Sequence, residues 1–172
     1  MLELVREGDL QPTAPRIAAR AGVSLRSVFQ HFADREALIT AAGQRQEEEI
    51  AAMVRRLPTD GALDKRIEAF VAQRCRVLEA VSPVRRASLG HEQQSPAVRA
   101  SRDRMTQTAR QEVARMFAPE LDRLAGPDKR DLLDALDAAT QWGMWEQLRS
   151  YQGLPAKRAQ RIMARTLIGL LR

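Results

Sequence analysis

The sequence predicts an all-α protein, with a three-helix head at the N-terminus followed by a helical bundle. Three observations point there. Apolar residues recur at the three-to-four spacing of a helix face in every long segment. No run of four or more residues alternates apolar and polar with β-branched enrichment, so strand signals are missing. Proline follows a junction residue in Ser82-Pro83, Ser95-Pro96, Gly126-Pro127 and Leu154-Pro155, the place where helices begin.

In chain order, Met1–Glu7 makes a short first helix before Gly8. Thr13 caps the second helix, Pro15 lies in its first turn, and Ile17, Ala18 and Ala21 form its inward face. Gly22 follows where the chain must adopt a left-handed residue, which glycine does without steric cost, and Val23 plugs the corner. Ser24 caps the third helix, whose inward residues are Val28 and Phe32. Long helices are expected next over Arg35–Leu57 after the cap Asp34, Leu63–Val81, Pro96–Phe117, Asp128–Tyr151 and Pro155–Leu171. The Asp128–Tyr151 pattern is apolar over more than half its circumference, so it should be covered from two sides, most simply by its own core and a two-fold partner. The shift from short to long elements near residue 40 divides the chain into 1–42 and 43–172.

Composition narrows the function. The 172 residues carry 28 Lys and Arg against 22 Asp and Glu, a formal charge of +6. Hydrophobic residues at 44% exclude global disorder. Two Trp, one Tyr and four Phe are too few and too scattered for a single-strand stacking platform. One cysteine, Cys75, excludes an internal disulfide and a cysteine-cluster zinc site, and suits a buried small hydrophobe. The longest stretches without charge, Ala37–Gln44 and Ala138–Trp145, fall far short of the about 20 residues of a membrane span. A soluble, cytoplasmic protein with a polyanionic partner is expected.

The spacing over Thr13–Phe32 is that of a helix-turn-helix: apolar, small, apolar, glycine, apolar, then apolar one and a half turns on. Such a motif places the exposed start of its second helix in the major groove of DNA. The outward residues are Leu25, Arg26, Ser27, Gln30 and His31. Arg26 suits a bidentate pair to guanine and Gln30 one to adenine; Ser27 suits a base or phosphate, and Leu25 a thymine methyl. Thr13 and Ser24, at helix N-termini, and Arg35 suit phosphate.

The run IAARAGVSLRSVFQHFADREALI resembles the DNA-binding signature of the TetR family of transcriptional repressors, over about Met1–Ala42. The specific parts are the Gly-Val-Ser turn, the aromatic-x-His-Phe end of the third helix and the following Asp-Arg-Glu-x-Leu. The resemblance implies base contacts from Leu25, Arg26, Ser27 and Gln30, and phosphate contacts from Thr13, Ser24, Phe29, His31 and Arg35. Phe29 stands where the family usually has tyrosine, so the hydroxyl bond to phosphate is lost, whereas Arg35 replaces a lysine and keeps the charge. The family normally has a complete first helix, so the half-length one here implies either trimming upstream, the favoured expectation, or a start that lacks several turns bracing the motif.

The resemblance further implies that residues 43–172 form a ligand-binding and dimerisation domain. Met53, Phe70, Arg74, Leu78, Met105, Met116, Trp142 and Trp145 are the candidates to line an effector pocket. Gln73, Arg104 and Gln141 are further polar candidates to orient a ligand. Leu132, Leu136, Ala139, Gly143, Ile162, Met163, Leu167 and Leu170 are the candidates for a homodimer interface. The expected function is a repressor released from a palindromic operator by a small apolar effector, with double-stranded DNA, a second copy and that unidentified effector as partners, and no membrane. The alternative is a helical adaptor whose motif only packs. No catalytic pair, metal site or cofactor is expected: His31 has no second ligand at a suitable spacing, and His91-Glu92 suits a solvated turn. Residues 1–40 hold five arginines and five acids, so the whole excess of charge lies in 41–172.

Overall fold

A computed structural model describes residues 1–172, which form ten α-helices and no strand. These are α1 (Leu2–Arg6), α2 (Ala14–Ala21), α3 (Leu25–His31), α4 (Arg35–Met53), α5 (Leu63–Leu89), α6 (Pro96–Met116), α7 (Ala118–Leu121), α8 (Gly126–Thr140), α9 (Trp142–Glu146) and α10 (Ala156–Leu171), with a π-helical turn over Gln147–Tyr151. They group into two compact units, Met1–Met53 with Ala80–Met105, and Val54–Glu79 with Thr106–Arg172.

The first unit holds the head. Leu4 and Val5 of α1, Ile17 and Ala18 of α2, and Val28 of α3 are buried. Two carboxylates tie α4 to α6 within this unit. Glu36 accepts from the Ser95 hydroxyl at 2.5 Å and the Ala97 backbone N–H at 3.3 Å. Three turns on, Glu47 accepts from Ser101 at 2.6 Å and Arg104 at 2.8 Å. Burial pushes the Glu47 carboxyl up, but the bonds from Arg104 and Ser101 outweigh it and hold it below its ordinary value.

The second unit is a bundle around Ile67, Phe70, Val71, Val113, Met116, Phe117, Leu136, Trp145, Met163 and Leu167. The Phe70 and Phe117 rings meet edge to face with centroids 5.3 Å apart. Beside this core, Arg66 and Glu120 form an ion pair with 6% exposure on each side chain, and Arg66 also donates to the Met116 carbonyl at 2.8 Å. The Arg66 Nε is buried without a partner.

Three elements depart from expectation. α4 ends at Met53 rather than Leu57, and the chain from 54 to 62 is not helical. Ser82-Pro83 does not start a helix: α5 runs through to Leu89 with Pro83 inside it. Proline removes one ladder bond there, but Val81 and Ser82 are buried beside it, and packing overrides the local preference. The expected helix Asp128–Tyr151 is broken at Gln141, whose ψ of 163° is extended. The Thr140 hydroxyl bonds back to the Leu136 and Asp137 carbonyls, and the Gln141 amide donates to Asp137, at the end of α8. The break lets Trp145 enter the core while its indole N–H donates to Glu79 at 3.0 Å. The broad apolar face read along 128–151 therefore belongs to two helices, so its width alone does not call for a second cover.

Candidate DNA interface

The head folds as its residue types dictate. Gly22 takes φ 67°, ψ 27°, the left-handed turn between α2 and α3. Ser24 caps α3, its Oγ accepting from the Ser27 N–H at 3.0 Å. Asp34 does the same for α4, accepting from the Ala37 N–H at 2.7 Å. Thr13 stands at the start of α2 but makes no side-chain cap bond. Ala21, expected on the inward face of α2, is exposed, and Val23, expected to plug the corner, is 45% exposed; the buried residues of α2 and α3 are Ile17, Ala18 and Val28.

Val28 anchors α3 inward, and Arg26 and Gln30, four residues apart, stack on the opposite, exposed face. Leu25 and Phe29 flank them, 41% and 56% exposed. Ser27 is half-buried, while His31, Thr13, Ser24 and Arg35 are exposed. The base and phosphate candidates thus lie on α3 and at the starts of α2 and α4. One Arg35 Nη lies 3.4 Å from His91 Nε2 of the α5–α6 turn.

The charge pattern of the head is invisible in a net count. Arg20 binds Glu3 of α1 and Glu7 just after it, Arg16 binds Asp9, and Arg6 binds Glu49 of α4 and, at 3.2 Å, the buried Gln46. Asp34 is a cap and Glu36 is held by Ser95. Every acid of residues 1–40 is thereby engaged, and no hydrogen bond or ion pair holds the Arg26 guanidinium. A neutral head presents an uncompensated cation where α3 is exposed. Pairs joining α1 to α2 and α1 to α4 carry this arrangement, and no sequence spacing reveals them.

An exposed second helix with a free arginine and glutamine, set by a glycine turn and a serine cap, defines a helix-turn-helix DNA-binding protein. The family model described as bacterial regulatory proteins, tetR family, matches residues 2–42. Residues 2–42 are thus a TetR-type DNA-binding head, the mark of a DNA-binding transcriptional regulator. No curated protein and no solved structure matches it.

The other predicted residues fall as follows. Phe70, Leu78, Met116 and Trp145 lie in the core of the second unit with Trp142 packed against it. Arg74 is buried beside them, over the Phe70 ring at 5.0 Å, and donates to the Ala109 carbonyl at 2.9 Å with Glu112 nearby. Burial lowers its pKa against the pull of Glu112, Asp137 and Cys75. Gln73 bridges the Arg55 backbone and Glu112, and Gln141 donates to Asp137. Met53, 39% exposed, half-buried Met105 and Arg104 belong to the first unit. A cleft of about 420 Å³ opens elsewhere on the second unit, lined by Arg56, Leu57, Pro58, Thr59, Asp60 and Arg115, none of them a pocket candidate. Among the interface candidates, Leu136, Met163 and Leu167 are fully buried in the chain's own core and Ala139 nearly so. Leu132, Ile162 and Leu170 are half-buried and Gly143 exposed. No group of three or more His, Cys, Asp or Glu is placed to hold a metal ion, and no helix is long and apolar enough to cross a membrane.

Proposed function

We propose that this regulator is a homodimeric, ligand-responsive repressor that reads a palindromic operator in the cytoplasm through α3. Residues 1–42 are the DNA-binding domain, and residues 43–172 bind the effector and the second copy. The observation that carries the reading is the face of α3 opposite Val28, where Arg26 and Gln30 stand exposed and Arg26 has no competing acid. Arg26 reads guanine and Gln30 adenine; Leu25 and Ser27 complete the base contacts. Thr13, Ser24, His31 and Arg35 hold phosphates, and Phe29 packs its ring against the sugar–phosphate backbone in place of a hydroxyl bond.

Two heads read half-sites about one helical turn, roughly 34 Å, apart. In the dimer, Leu132, Gly143, Ile162 and Leu170 have surface to offer a partner, since Leu136, Met163 and Leu167 have none. A small apolar effector enters the bundle around Phe70, Leu78, Met116, Trp142 and Trp145, with Arg74 as its polar guide, and favours a head spacing that misfits the grooves. A hundredfold loss of DNA affinity requires about 2.7 kcal/mol of differential effector binding. α4, which starts at the head, is the lever. Selection of bound duplexes from a random pool tests the reading. A two-fold symmetric consensus supports it. Recovery of no preferred sequence and no salt-dependent affinity favours the adaptor instead.

A further inference from the structure

The excess positive charge is not in the head. The first unit holds 11 cations against 10 acids, and the second 17 against 12. Within the second unit it concentrates on α10, where Ala156–Leu171 contains Lys157, Arg158, Arg161 and Arg165 and no acid. Lys157, Arg161 and Arg165 recur every four residues with Arg158 beside them, on the face opposite buried Ala159, Met163 and Leu167. All four are exposed, and none makes an ion pair. Acids of the same unit are engaged elsewhere: Asp64 with Arg172, Glu79 with Arg149, and Asp134 and Asp137 with Arg110. A merely solvated helix face ordinarily intersperses both signs.

We propose that this face of α10 is a second, sequence-independent contact to the phosphate backbone of duplex DNA, separate from α3. Three features select that partner. DNA is the polyanion that a regulator of this family meets. Lys157 and the three arginines offer only donors along the stripe, with no acid among them to repel phosphate oxygens. The stripe from 157 to 165 extends about 12 Å along the helix, room for several phosphates of one strand, and it carries no aromatic or large exposed apolar side chain to enter a bilayer.

The test compares the full chain with the variant Arg158→Gln, Arg161→Gln, Arg165→Gln on a random-sequence duplex and on the selected operator, from 50 to 300 mM salt. Glutamine has nearly the helix propensity of arginine, so α10 is retained. The slope of log affinity against log salt should become shallower by roughly 2 to 3, with affinity for the random duplex down about tenfold or more at the lowest salt. The fold preference for operator over random duplex should not change, which separates this face from α3. The triple Arg→Lys variant should keep the slope. If the glutamine variant does not fold, single substitutions should each remove about 0.9 of slope. Co-capture of two differently labelled duplexes identifies contact with a second duplex, and its absence alongside the slope change identifies the duplex bound by the head. Either supports the proposal. An unchanged slope overturns it while leaving the α3 reading intact. So does binding to phosphatidylglycerol vesicles that the variant loses without any change on DNA. No DNA affinity in the parent chain overturns both.

Discussion

Arg26→Ala should separate binding from folding. The guanidinium is exposed and makes no bond within the chain, so its removal takes nothing from the folded state, and alanine is the stronger helix former. The melting temperature should stay where it is or rise slightly. A bidentate pair to guanine is worth about 1–3 kcal/mol of discrimination, or roughly 5- to 150-fold. Fluorescence anisotropy on operator duplexes, each changed at one base pair, should therefore show preference collapsing at a single position in each half-site. Arg20→Ala is the counterpart. It cuts the ion pairs that join α2 to Glu3 of α1 and to Glu7 just after it, so it should lower the melting temperature while leaving base preference as it was. If Arg26→Ala weakens every duplex equally, the side chain meets phosphate and base reading by this residue is wrong. If it changes no affinity at all, the face opposite Val28 does not enter the groove.

Other consequences follow from the same geometry. Gly22→Ala should destabilise by about 1–2 kcal/mol, all of it backbone strain at φ 67°, because an added Cβ meets nothing within 4 Å; urea unfolding measures it, and a neutral result would refute the strained turn. Arg66→Ala leaves the Glu120 carboxylate buried without its partner and should cost about 3–5 kcal/mol, whereas replacing both residues by apolar ones should cost much less. The Cys75 thiol is pushed up to about 12 by burial, with the Glu79 charge adding and Arg74 opposing, so a thiol reagent at pH 8 should label it only as the chain unfolds. Because Glu47 is held below its ordinary value, its contribution to stability is complete above the unfolded carboxylate pKa of about 4.3 and is lost as pH falls through the lower folded value. The stability gap between the parent chain and Glu47→Gln should accordingly close under acid conditions in thermal melts.

Much of the head was legible because its signals are local. Gly22, Ser24 and Asp34 act on backbone groups within three residues, and Val28 against Arg26 and Gln30 is a matter of helical period. Local logic also overreached there. Thr13 has the right residue type for a cap and makes no cap bond, and Val23 stays 45% exposed because the corner closes without it. In the bundle the same rules erred at Pro83 and Gln141. A proline at a junction and an unbroken apolar pattern are short-range signals, and tertiary packing at Val81, Ser82 and Trp145 outweighed both.

By itself the sequence determined that the protein is helical, where the turn of its head falls, and which side chains of α3 face outward, since propensity, capping and periodicity act over a few residues. It also determined the net charge of +6. Tertiary structure alone decided what that charge means. Contacts across 7 to 43 residues of chain pair acids of the first unit with Arg6, Arg16 and Arg20, and Asp34 caps a helix, leaving Arg26 free, while Lys157, Arg158, Arg161 and Arg165 make no ion pair. Ion pairing depends on distances of a few ångströms in space, and those distances exist only once the helices have packed.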